Sequence, residues 1–184
     1  MTQETIEAAR PAPEGTDWLL ARARAGDRAA FTRLLELHYD LIFRTACKWS
    51  GRRSDAEDIA QDVCIKLATA IHSFDGRSTF TSWLYRVTLN AVRDMQRSSA
   101  RHSRRAAALA AETEDAFPAE QEAAAEAHAL WAVVRRLPDK QRDAVLLVYA
   151  EDLSHAEAAT IMGCKEATVS WHIHEAKKTL RGLL

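Results

Sequence analysis

Residues 154–180 read SHAEAATIMGCKEATVSWHIHEAKKTL. Ser154 and Glu157 have the spacing of a capping box, in which a hydroxyl and a carboxylate three residues apart satisfy each other's free backbone N–H groups. The spacing predicts a short helix to Met162, a turn at Gly163, and a final helix from about Glu166 to Leu183. In that final helix Val169, Ile173, Ala176 and Leu180 recur at steps of three and four and face inward. Glu166, Ser170, His174, Lys177 and Arg181 form the opposite face, flanked by Trp171, Glu175 and Lys178. Two helices joined by a short glycine-containing turn make the helix-turn-helix pattern. Many helical hairpins share its periodicity, so the pattern alone is moderately specific.

Upstream, Leu130, Val133, Val134 and Leu137 have helical spacing from about His128. Leu137-Pro138 ends that helix, and Pro138 can begin the next, which carries Ala144, Val145, Leu147 and Val148. Residues 106–127, AAALAAETEDAFPAEQEAAAEA, are acidic, with Leu109 and Phe117 as their large apolar residues. They read as an inter-domain linker, with one continuous alanine-rich helix as the alternative. Residues 1–16 hold Pro11, Pro13 and Gly15 and read as a disordered tail. The expected division is therefore 1–16 tail, 17–105 first domain, 106–127 linker and 128–184 second domain, in an all-α protein.

Within the first domain Asp17 is a candidate cap for a short helix ending at Gly26, and Asp27 for a helix through about Tyr39. A further helix runs from about Leu41 to Trp49, and Gly51 stops it. Ser54 and Glu57 again have capping-box spacing, opening a helix to about His72 whose stripe is Ile59, Val63, Leu67 and Ala70/Ile71. Residues 72–78, HSFDGRS, form a loop. A long helix then starts near Thr79 and passes Arg97. Its core stripe is Phe80, Trp83/Leu84, Val87, Ala91 and Met95.

Net charge is −1, which argues against nucleic acid until its distribution is considered. Arg77, Arg86, Arg93, Arg97, Arg101, Arg104 and Arg105 crowd one segment in which Asp94 is the only acid, and the acidic linker follows. The molecule is polarised, and the sum hides it. Arg86, Asn90, Arg93, Arg97, Arg101 and Arg104 fall on one helix face, a good phosphate and base-edge reader, where the bland reading is a solvated face. Phe80, Trp83 and Tyr85 sit at the start of this helix. Aromatic side chains beside arginines suit stacking on unpaired bases, but Trp83 also lies on the core stripe, so both readings stand. Asp55, Asp58 and Asp62, with Gln61 nearby, are helix-dipole partners or a docking patch for a basic partner.

Cys47, Cys64 and Cys164 are widely spaced without a CxxC, and read as small apolar residues in a reducing cytoplasm. His172 and His174 point apart on a helix and are poor joint metal ligands. No metal site, cofactor site or catalytic constellation is expected: there is no phosphate loop, no GxSxG and no HExxH. No stretch approaches the ~18 apolar residues of a membrane span, and the polar, acidic N-terminus is unlike a signal peptide.

SDAEDIAQDVCIKL (54–67) followed by STFTSWLYRVTLNAVRDMQR (78–97) resembles conserved region 2 of sigma-70-family factors. Residues 137–180 resemble their region 4. Small size and the absence of other regions resemble the extracytoplasmic-function (ECF) subfamily. The resemblance implies a cytoplasmic factor, not an enzyme, that binds core RNA polymerase and directs promoter recognition and DNA melting. It implies that Asp55, Asp58, Gln61 and Asp62 dock on the β′ clamp helices. It implies that the 72–80 loop with Phe80, Trp83, Arg86, Asn90, Arg93 and Arg97 recognises and melts the −10 element. Region 4 would grip the β flap and read the −35 element through Glu166, Thr168, Ser170, Trp171, His174, Lys177 and Lys178. It also implies an anti-sigma partner, often membrane-bound, and no membrane insertion by the chain itself. The family's usual recognition helix is more basic: Ser170, Trp171, His172 and Glu175 stand here where Lys, Ser, Arg and Arg are usual. Fewer arginines weaken phosphate anchoring and alter −35 preference. The stretch also resembles the recognition helix of LuxR-type regulators. The rival readings are thus a helix-turn-helix regulator acting apart from polymerase, and a helical adaptor that binds polymerase or a regulator without starting transcription.

Overall fold

The computed structural model describes residues 15–106 and 130–182, with backbone alone over 100–106. The expected tail lies outside these residues apart from Gly15 and Thr16, and the expected linker apart from Ala106. Among the described residues there is no strand. The N-terminal half holds α1 (Thr16–Arg24), α2 (Arg28–Ser50), α3 (Arg53–Ala70) and α4 (Phe80–Ala106). A 3-10 turn, Ile71–Ser73, follows α3. The C-terminal half holds α5 (130–135 of the described chain), α6 (Asp139–Val145), α7 (His155–Met162) and α8 (Glu166–Arg181). No described helix is long and apolar enough to cross a membrane.

Helix α1 starts at Thr16 with Gly15 as its cap, so Asp17 stands in the first turn instead of capping it. Its buried residues are Leu19, Leu20 and Ala23. Asp27 does cap α2: its Oδ1 accepts the Ala30 N–H at 3.1 Å. That bond, with Arg22 alongside, holds the Asp27 carboxyl below its usual range despite some opposing desolvation.

The two helices expected over 27–49 are one, 23 residues long. Ala30, Leu34, Ile42, Ala46 and Trp49 are buried along it. Half-buried His38 fills the gap in that stripe, its ring edge-on to Phe80 at 5.1 Å. Gly51 ends α2 with φ +79° and its N–H bonded to the Cys47 carbonyl at 2.9 Å.

The expected capping box at Ser54 is not formed. Helix α3 opens two residues earlier, at Arg53 with Arg52 as its cap position, without a side-chain cap. Glu57 is taken by Arg53, Nε to Oε1 at 2.9 Å. Ala56, Ile59, Ala60, Val63 and Leu67 are buried, as the stripe predicts. In the C-terminal half the second box is complete, and Gly163 turns the chain at φ +65°. Between α6 and α7 the chain widens into a π turn, Leu146–Ala150. Asp152 then turns it at φ +52°, a conformation Asp tolerates better than most residues. The buried apolar side chains of both halves form one cluster, running from Leu19 to Ala176.

Candidate nucleic-acid interface

Thr79 opens α4, its Oγ1 accepting the Ser82 N–H at 3.1 Å. The preceding loop is held by Asp75, which accepts the Arg77 N–H at 3.1 Å and Nε at 2.5 Å. Gly76 permits that turn with φ +74°. Beneath the loop Phe74, Phe80 and Trp83 form an aromatic cluster with centroids 5.6–5.8 Å apart. All three are about 5–6% exposed. The structure therefore puts Phe80 and Trp83 in the core under the loop, not on its surface.

The polar face of α4 stands outward. Arg86, Asn90 and Arg97 are exposed, and Arg93 is half-buried. Asn90 Oδ1 accepts from Arg93 Nη1 at 3.1 Å. Arg97 pairs with Asp94 at 2.6 Å, so an acid does reach this face, although an exposed pair of this kind is worth little. The side chains of Arg101 and Arg104 lie outside the described residues.

On α3, Asp58 and Gln61 are exposed, and half-buried Asp62 pairs with Lys66 at 2.7 Å. Asp55 is also half-buried. It sits 3.9 Å from Arg52 and lines a cleft of about 330 Å³ with Met95 and Gln96 of α4. Steps of three and four keep Asp55, Asp58 and Asp62 on one side of α3.

Helix α8 packs through Val169, Ile173 and Ala176. Glu166, Ser170, Trp171, His174, Lys177 and Lys178 are exposed, and Thr168 is half-buried. Ser170 Oγ lies 2.9 Å from His155 Nδ1 at the start of α7, which ties the two helices at their outer edge. Trp171 is 56% exposed, a large apolar ring on an otherwise polar face. Lys177 Nζ lies 5.4 Å over the Tyr149 ring. Among the described residues no group of three His, Cys, Asp or Glu side chains could hold a metal ion.

Five side chains make contacts that the sequence does not predict, Tyr85 among them, where the sequence suggests base stacking instead. Lys48, Trp49 and Tyr85 of the N-terminal half meet Asp143 and Glu151 of the C-terminal half. Trp49 Nε1 donates to Asp143 Oδ1 at 2.9 Å, and Arg93 Nη2 donates to Asp143 Oδ2. Lys48 Nζ reaches the Ala150 carbonyl at 2.7 Å and Glu151 Oε1 at 2.8 Å. Tyr85 Oη donates to Glu151 Oε2 at 2.7 Å. Burial first, then this bond to a carboxylate, pushes the Tyr85 phenol far above its usual range. One signal was available: Asp143 is an acid beside the apolar run Ala144–Val148.

Residues 34–102 match the family model for Sigma-70 region 2, and residues 127–180 that for Sigma-70, region 4. The ECF RNA polymerase sigma factor SigM of Mycobacterium tuberculosis is 34% identical over 168 residues, covering 90% of this chain and 83% of the relative. The ECF RNA polymerase sigma factor SigW of Bacillus subtilis is 27% identical, covering 88% and 92%. Among solved structures, the sigma factor RpoE from Bartonella quintana, in complex with the anti-sigma factor NepR, superposes with TM-score 0.67 at 24% identity, over 83% of this chain and 95% of that one. CnrH, in complex with the cytosolic domain of CnrY, also gives TM-score 0.67 at 24% identity, over 92% and 97%. These two share the fold. The regulator reading is not favoured, because the N-terminal half is itself accounted for as region 2. Both halves, in order and nearly end to end, place this chain in the sigma-70 family, among the ECF RNA polymerase sigma factors.

Proposed function

We propose that this sigma factor reads promoter DNA with two surfaces, the outer face of α4 and the exposed face of α8, while the α3 acids dock it on core polymerase. The observation that carries the reading is the exposure of Arg86, Asn90 and Arg97 along one side of α4, whose first turn is anchored by the buried Phe80–Trp83 pair. Guanidiniums supply phosphate contacts, and an amide supplies base-edge contacts. Buried Phe80 and Trp83 act as positioning residues here, bracing the 74–79 loop and the first turn of α4 at the −10 element. Asp58, Gln61 and Asp62 form the docking patch for the β′ clamp helices, with Asp55 supporting it from the cleft.

The working division is 17–105 for −10 recognition and 128–184 for −35 recognition and contact with the β flap. On α8, Trp171 takes a place usual for a small polar residue. Its exposed ring suits the methyl group of a thymine in the major groove. Glu166, Thr168, Ser170, His174, Lys177 and Lys178 surround it. Bond formation belongs to the polymerase, and the chain contributes binding energy alone, in the cytoplasm where the polymerase works. Solved relatives are held by anti-sigma factors, which supports such a partner for this chain.

The test is in vitro transcription with core polymerase on a fragmented genomic library of the encoding organism, with RNA 5′ ends mapped. Starts sharing paired −35 and −10 motifs are expected. Binding to polymerase without any specific start, with and without cell extract, would replace this reading with the adaptor.

A further inference from the structure

We propose that Trp171 and Glu175 together read a 5-methylcytosine in the −35 element, so that cytosine methylation strengthens promoter binding by this factor. The inference rests on the reading that the exposed face of α8 enters the major groove.

Both residues depart from the family's usual recognition helix, which carries Ser and Arg at these positions. One base accounts for both departures. The two lie four residues apart on α8, so they leave neighbouring turns of one edge, with Cβ atoms about 5–6 Å apart. Trp171 is 56% exposed and offers an apolar ring. Glu175 is half-buried, and among the described residues its carboxylate has no hydrogen bond or ion pair. In the major groove a pyrimidine shows its C5 position beside its C4 substituent. Cytosine shows an N4 amino donor and no methyl group, and thymine shows a methyl group and an O4 acceptor. 5-Methylcytosine is the pyrimidine that shows a methyl group beside a donor. The indole takes the methyl group. An ionised carboxylate only accepts, so Glu175 takes the N4 amino group and repels O4. Each unmodified pyrimidine is thus disfavoured by a different member of the pair.

The surroundings leave the choice to these two side chains. The His172 ring stands against Trp171, with centroids 4.9 Å apart at 60°, and backs the indole. Ser170 Oγ lies 2.9 Å from His155 Nδ1 and 3.3 Å from the Glu166 carbonyl, so its hydroxyl is occupied within the protein. No arginine stands between Glu166 and Leu180 to fix a guanine. A carboxylate facing DNA is repelled by the phosphates unless a base donor meets it. Exposed Lys177 and Lys178 offset that charge and hold the backbone nearby.

The test selects duplexes from a randomised library on the holoenzyme, formed from core polymerase and the full chain. One library carries cytosine and a second carries 5-methylcytosine throughout. The methylated library should yield a −35 motif with cytosine at a position where the unmodified library does not. A duplex with 5-methylcytosine there should bind about ten-fold more tightly than the same duplex with cytosine or thymine. Trp171→Ala should erase the advantage over cytosine, and Trp171→Phe should keep it. Glu175→Gln, whose amide donates as well as accepts, should instead admit thymine. Circular dichroism checks each variant for native helicity. Equal affinity for cytosine and 5-methylcytosine, with a −35 motif recovered from both libraries, would overturn the reader and leave the α8 reading in place. So would a methyl preference that survives Trp171→Ala. If neither library yields a −35 motif, the α8 reading fails and this inference falls with it.

Discussion

The Trp49 indole donates its N–H to Asp143 at 2.9 Å, across 94 residues of sequence and between the two halves of the chain. Trp49 is 1% exposed and Asp143 is fully buried, so neither group has water to fall back on. Replacing Trp49 with Phe keeps an aromatic ring and removes the donor. Asp143 then keeps Arg93 alone. The expected loss is about 1–3 kcal/mol, the cost of leaving a buried acceptor short of a partner. Urea denaturation of Trp49→Phe beside the parent checks it, provided the slope with denaturant is unchanged.

The two capping-box sequences give a paired prediction. Ser154 and Glu157 are reciprocally bonded, with the Ser154 N–H on Glu157 at 2.9 Å and the Glu157 N–H on Ser154 Oγ at 3.3 Å. Ser154→Ala should cost about 1 kcal/mol, the usual worth of a side-chain cap. Ser54→Ala should stay within about 0.5 kcal/mol, since Ser54 lies exposed inside the first turn of α3. Thermal melts of the two variants decide it. Equal losses would mean that the Ser54 box forms after all.

These two boxes also show how far the sequence carries. Their motifs are alike, and the second was read correctly because Gly163 and the following helix fix where α7 must begin and end. The first does not form because Arg53, one residue upstream of Ser54, offers Glu57 a charged partner. Tyr39 and Asp40, exposed between the buried positions Leu34 and Ile42, lie inside α2 and do not break it. The stripes of α3, α4 and α8 were legible because periodicity reports burial directly. The Asp143 and Glu151 contacts were not. Each lies 50 or more residues from its partners, and nothing in a single sequence links such positions.

His38 makes the fold sensitive to mild acid. Its ring lies against Phe80, its Nε2 is buried without a hydrogen-bond partner, and burial lowers its pKa from 6.5. The folded chain therefore binds this proton less readily than the unfolded chain. Stability from this group is intact above about pH 6.5 and declines as pH falls from there toward the folded pKa. His38→Leu fits the surrounding Leu34, Leu35 and Leu67 and should remove this part of the decline. Melting temperatures of both proteins from pH 7.5 to 5.5 test it, and parallel curves would clear His38 of the effect.

Arg86 is the exposed arginine nearest the start of α4 on its outer face. Arg86→Ala should lower open-complex formation about ten-fold, the equivalent of about 1.4 kcal/mol, and reduce the salt slope of binding by about one. Fluorescence of 2-aminopurine placed in the −10 element follows the opening. Unchanged melting would remove Arg86 from the reading surface.

Gly51 joins the end of α2 to the contact between halves, and a two-mutant cycle separates its two roles. Its φ of +79° suits glycine, so a side chain there is strained wherever the neighbours lie. In addition, a Cβ at this position would overlap the Arg135 guanidinium of α5. Gly51→Ala in the parent should therefore lose more than the roughly 1 kcal/mol of backbone strain. Arg135→Ala clears the space at the price of Arg135's own interactions, which the cycle subtracts. In that background Gly51→Ala should cost the strain alone. The difference between the two costs is a coupling energy, expected between about 0.5 and 3 kcal/mol for groups in contact. A coupling near zero would mean that the flexible end of the Arg135 side chain swings aside from the added methyl group without loss.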